Sequence, residues 1–117
     1  MVGTERFLIV EDDADGEFLL QRALRRRFPE AVVHIVHDAD EAVNSAKEGE
    51  WTGVVIHRAL DVDGIEVVQR VRTAAPAARI VMVSARDQKT AALAAGATEF
   101  VSFSAWQPLS KLFEPLG

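Results

Sequence analysis

An α/β fold built on one doubly wound, five-stranded parallel sheet is what this sequence predicts, and three observations carry the prediction. Short aliphatic, β-branched runs alternate along the chain with segments of helical spacing. The short runs are apolar at consecutive positions, which marks strands buried on both faces rather than on one. Proline or glycine closes the first four helical segments, at Pro29, Gly49, Pro76 and Gly96. Right-handed crossovers between parallel strands then leave a three-layer αβα sandwich as the economical arrangement.

The elements follow in chain order as (βα)5. Strands are expected at Phe7–Val10, Val32–Val36, Val54–Ile56, Ile80–Val83 and Phe100–Val101. The first helix is expected over 15–28, where Leu20, Leu24 and Phe28 recur four apart. The second runs over 39–48, with Ala39, Ala42, Val43 and Ala46 on one side. The third runs over 65–75, with Ile65, Val68, Val71 and Ala75 sharing a face. An alanine-rich helix over 87–95 and a short last one from Pro108 to Phe113 complete the set.

The 117 residues suit a single domain spanning 1–117, and 49% hydrophobic content is enough for a core. No apolar run approaches the roughly 20 residues that cross a bilayer, and no basic-then-apolar start reads as a signal peptide. The absence of cysteine excludes disulfides, a thiol nucleophile and thiolate metal sites, and fits a cytoplasmic protein. A net charge of −5 argues against direct nucleic-acid binding. The basic run Arg25-Arg26-Arg27 closes a helix, where it complements the negative end of the dipole.

In such a sheet, chemistry gathers beyond the carboxyl ends of the strands. Glu11-Asp12-Asp13 follow the first strand, His57 the third, Ser84 the fourth and Ser102-Phe103-Ser104 the fifth. Clustered carboxylates repel one another unless a cation or hydrogen-bond donors offset the charge. An acidic helix start, favourable at the positive end of the dipole, is the plainer account of the same three residues.

The segment FLIVEDDADGEFLLQRAL resembles the opening of a response-regulator receiver domain, the phosphorylatable half of bacterial two-component systems. A strand whose loop ends VDG, then IVMVSAR, then ALAAGATEFV, extend the resemblance over residues 6–114 in the right order. It implies the flavodoxin-like (CheY-like) fold and a signalling module rather than an enzyme, with no catalytic residue. The family's Mg²⁺-holding acids match Glu11 and Asp12, with Asp13 as companion. Its hydroxyl residue that bonds the phosphoryl group matches Ser84, and its switching aromatic matches Phe100. The place of its phosphoacceptor aspartate is His57. The place of its lysine falls on Phe103, and that of the following proline on Ser104.

A shifted register does not restore the aspartate. The family's loop from acceptor to closing glycine is one residue longer than His57 to Gly64. Counting back one more lands on Ile56, and Asp61 and Asp63 lie out in the loop.

Phosphoryl transfer to a receiver needs an oxygen nucleophile, a divalent cation and a positive group facing the transferred charge. Two of these are altered here. Exchanging Asp for His removes a negative charge and exchanging Lys for Phe removes a positive one. A protonated His57 beside Glu11 and Asp12 would give the pocket its own counter-cation. The expected function is therefore an atypical receiver, or pseudo-receiver, acting as a phosphorylation-independent interaction module. Its partner would be a kinase, an output domain or another protein of a phosphorelay. The alternatives are a working receiver that uses His57 or a loop Asp, and a small Mg²⁺-dependent phosphatase built on the Asp cluster. No cofactor or metal is expected; Glu11 and Asp12 are the residues that would hold Mg²⁺. One imidazole with carboxylates also suits Mn²⁺, Zn²⁺ or Ni²⁺. His34 and His37 read as surface or strand-end residues rather than further ligands.

Ser84 to Gly96 spans twelve steps, where the resemblance implies about one helical turn more. The face of the fourth helix, fifth strand and fifth helix, used for dimers or output in the family, is thus shortened. It is the expected homodimer face, with Trp106 as either an interaction anchor or a cap on the last helix.

Overall fold

The computed structural model describes residues 5–57 and 64–102. Five strands and four helices alternate: β1 (Arg6–Glu11), α1 (Ala14–Arg27), β2 (Val32–Val36), α2 (Ala39–Glu48), β3 (Gly53–His57), α3 (Gly64–Ala74), β4 (Ile80–Ser84), α4 (Lys89–Ala95) and β5 (Glu99–Ser102). All strand pairs are parallel, in the order β2-β1-β3-β4-β5. This is the doubly wound order of flavodoxin-like folds, whose direction of winding reverses beside β1. The last helix expected at Pro108–Phe113 lies outside the described residues.

The consecutive apolar runs make sense once the two faces of the sheet are separated. Successive side chains on a strand point to opposite faces. Phe7, Ile9, Val55, Val81 and Val83 therefore join Leu20, Ala23, Leu24 and Phe28 in one core under α1. Leu8, Val10, Val54, Ile56, Ile80 and Met82 join Ala42, Ala46, Val67, Val68, Val71 and Ala92 in a second core under α2, α3 and α4. The residues that α2 and α4 contribute to the second core are alanines. The helical spacing predicts Leu20, Leu24, Phe28, Ala42, Ala46, Val68 and Val71, whereas Ala23, Val67 and Ala92 are buried with them outside the predicted stripes.

Caps account for the helix boundaries. The Asp13 carboxylate accepts the Gly16 N–H at 2.9 Å and starts α1. The Asp38 carboxylate does the same for Glu41 at 2.9 Å and starts α2. At the end of α4, Gly96 takes φ of 116°, the left-handed conformation that favours glycine. The fourth helix begins two residues later than its composition predicts, because the Gln88 side chain is turned back toward β4.

One residue outside the predicted stripes ties the far end of the sheet together. Arg72 Nε donates to Gly96 O at 2.9 Å, Nη1 reaches the carbonyls of Ala75, Pro76 and Ala78, and Nη2 reaches Thr98 Oγ1. These acceptors are the ends of the α3–β4 and α4–β5 connections. Arg72→Met should destabilise the domain by about 2 kcal/mol or more in urea unfolding. Arg72→Lys should recover little of it, since a compact ammonium does not span a fork of acceptors.

Candidate functional site

The carboxyl ends of β1 and β3 place Glu11 and His57 directly opposite each other in the parallel register. Both are buried, Glu11 completely and His57 to all but 6%. Their side chains meet: Glu11 Oε1 lies 2.5 Å from His57 Nδ1. An ionised carboxylate only accepts, so with Glu11 ionised the donor in this contact is the imidazole Nδ1–H. The other carboxylate oxygen, Oε2, accepts the backbone N–H of Asp12 at 3.0 Å and of Asp13 at 3.3 Å. Donors on two sides thus compensate the burial of the charge, as a buried carboxylate requires.

The carboxylate has room because of Gly16. A Cβ at that position would overlap Glu11 Oε1 and stand 2.8 Å from Glu11 Cδ. Glycine inside a helix costs about 1 kcal/mol relative to alanine. Here it is the space beneath the first turn of α1 that the residue supplies. Gly16 is a site residue that the sequence reading passes over, although a glycine in the first turn of a long helix is the signal that marks it.

The three consecutive acids separate. Glu11 points into the protein, whereas Asp12 and Asp13 are exposed. The Asp13 carboxylate caps α1, which matches the plainer account of an acidic helix start. Ser84 ends β4 fully buried, and its Oγ accepts the Arg86 N–H and the Gln88 Nε2–H, each at 3.0 Å. The hydroxyl is thereby held to the β4–α4 loop, and Gln88 is a second residue the sequence reading passes over. Phe100 stands opposite Met82 on β5, half-buried against the core under α4. Phe103, Ser104, Trp106, Asp61 and Asp63 lie outside the described residues.

The other two histidines sit elsewhere. His34 is exposed on β2, tilted over Trp51 with ring centroids 6.1 Å apart. His37 is exposed past the end of β2, with Nε2 3.1 Å from Glu17 Oε1. Among the described residues, no group of three or more His, Cys, Asp or Glu is arranged to hold a metal ion.

Gly16 and Glu11 should therefore be thermodynamically coupled. Gly16→Ala should destabilise the domain by about 2 kcal/mol, despite alanine's better helix propensity. In a Glu11→Asp background, whose shorter side chain vacates that space, the same change should be close to neutral. Additive effects in a double-mutant cycle by urea unfolding would contradict the coupling.

The comparisons with known proteins agree with the fold. The response regulator receiver domain family matches over residues 7–106. No curated protein matches the chain. Among solved structures, a response regulator from Burkholderia pseudomallei with a phosphorylated aspartic acid, calcium ion and citrate is similar, with a TM-score of 0.76 and 23% identity. The alignment covers 90% of this chain and 63% of that one, so this chain spans less than two thirds of its length. The receiver domain of a sensor histidine kinase from Pseudomonas aeruginosa, with magnesium in its active-site cleft, gives a TM-score of 0.79 at 20% identity, covering 95% of each chain. The receiver domain of a Saccharomyces cerevisiae response regulator, crystallised with a histidine phosphotransfer protein, gives 0.73 at 25% identity, covering 97% of this chain and 88% of that one. With a family match over most of its length, on the fold and strand-end geometry described above, this chain belongs to the response regulator receiver domain family.

Proposed function

We propose that this receiver domain works without aspartyl phosphorylation, as an interaction module that docks on a partner of a two-component pathway. The observation that carries the reading is the Glu11–His57 contact. His57 takes the place where the family keeps its phosphoacceptor, and it faces the carboxylate that matches the family's metal-holding pair.

The donor set speaks against Mg²⁺. This ion takes octahedral oxygen ligands and gives up its waters reluctantly. Of the groups at the paired strand ends, the Glu11 carboxylate has both oxygens engaged, one by His57 and one by two backbone N–H groups. The residue facing it offers ring nitrogen rather than oxygen. Glu11 and His57 do not fit the ion, and of the acid pair only Asp12 is exposed. The imidazole and the two backbone donors offset the buried carboxylate in the metal's stead.

Ser84 supports the same reading from the neighbouring strand. Its Oγ accepts two bonds from its own loop, which hold the hydroxyl to that loop. The partner in this reading is a kinase, a phosphotransfer protein or an output domain, recognised through surface shape and charge rather than through a phosphate-driven rearrangement. Among the described residues no helix is long and apolar enough to cross a membrane.

Acetyl phosphate or beryllofluoride with Mg²⁺ tests this proposal. The amide NMR spectrum should change little, with Ser84 and Phe100 keeping their positions. Widespread shifts around those two residues would instead assign the chain to working receivers with a surrogate acceptor.

A further inference from the structure

Among the described residues the sheet ends on β2, and the strand itself lacks the features that usually keep an edge single. Edge strands present unpaired N–H and C=O groups, which proteins blunt with Lys, Pro or a bulge. Val32–Val36 reads VVHIV and pairs with β1 in unbroken register. Val32 is 50% exposed, and His34 is exposed beside it.

The ladder to β1 determines which backbone groups face outward. Val32 N–H donates to Glu5 O at 2.9 Å, and Val32 is the register partner of Arg6. The N–H and C=O of one strand residue point to the same side, and the side alternates along the strand. Val32, His34 and Val36 therefore bond toward β1, while Val33 and Ile35 present their N–H and C=O groups to the outside.

We propose that β2 pairs antiparallel with β2 of a second copy of this chain, about a two-fold axis at His34. The order of the strand is its own complement. Reversal places Val32 opposite the second copy's Val36, Val33 opposite its Ile35, and His34 opposite its His34. Val33 and the opposing Ile35 are both outward-facing, so they form the kind of pair that exchanges two N–H···O bonds. Symmetry repeats the pair, giving about four inter-chain bonds that flank a non-bonded His34 pair. A register centred on another residue leaves part of the strand unmatched.

Charge favours the same operation. It runs α1 antiparallel to its mate on one side of the joined sheet. Arg25, Arg26 and Arg27 in the last turn of one copy are thereby directed toward the end that carries Asp15 and Glu17 in the other. The interface is isologous, and it is distinct from the face of α4 and β5 that the sequence reading assigns to dimers. The proposal stands whether or not the domain is phosphorylated.

The experiment is sedimentation velocity over a concentration series, on the whole chain. The wild-type protein should show a concentration-dependent dimer. His34→Glu places like charges opposite each other across the axis and should raise the dimer dissociation constant about fivefold or more. His34→Lys should do the same. An equimolar mixture of the two variants should restore association, because only a two-fold axis at this residue sets the glutamate against the lysine. Both changes are at an exposed side chain, and circular dichroism of each variant verifies the fold. A wild-type chain that stays monomeric throughout overturns the proposal. So does a dimer indifferent to both variants, or one that Leu93→Glu on α4 dissociates while His34→Glu does not.

Discussion

A buried carboxylate must be offset by donors, and the way Glu11 is offset shapes the carboxyl edge of this sheet. Two central strands end in register with Glu11 against His57. One carboxylate oxygen faces the imidazole, and the other holds the backbone as it turns from β1 into α1. The turn in turn sets Asp13 as the helix cap, and the cap sets Gly16 over the carboxylate. Removing either partner of such a pair leaves a polar group stranded in the interior, which typically costs several kcal/mol. Strand pairing, helix start and site geometry are therefore one arrangement here.

That arrangement also bears on function. A phosphoryl-transfer site works by aiming charged groups at a single point where the transferred group will sit. At this edge the described groups are engaged with their neighbours: Glu11 with His57 and the α1 turn, Ser84 with Arg86 and Gln88. Under the proposed reading, the interactions that in a phosphorylated receiver would await a ligand are made within the chain. The domain retains the family's frame, and under that reading what it offers a partner is a fixed surface.

Much of the frame is legible in the sequence because sheet burial writes itself as consecutive apolar residues. The five strands agree with their runs to within about a residue at each end. The stripes on α1 and α2 fall where a spacing of three or four places them. Residues that act through shape rather than polarity are harder to read. Gly16 acts by lacking a side chain, Gln88 by reaching back from the start of α4, and Arg72 by reaching across two loops. None of these shows in periodicity. The separation of Glu11 from Asp12 and Asp13 is a matter of strand pleat, since Glu11 still belongs to β1 while the following residues begin the helix turn.

The claim on which the account rests is that the Glu11–His57 contact stands in place of a metal. A Mg²⁺ titration followed through the amide signals of Asp12 and Asp13, whose N–H groups bond Glu11, examines it most directly. The account predicts only the small, unsaturable drift that added salt produces. A saturable shift of both amides with millimolar affinity, accompanied by movement of the His57 ring resonances, would show the carboxylate leaving the imidazole for the ion and would contradict it.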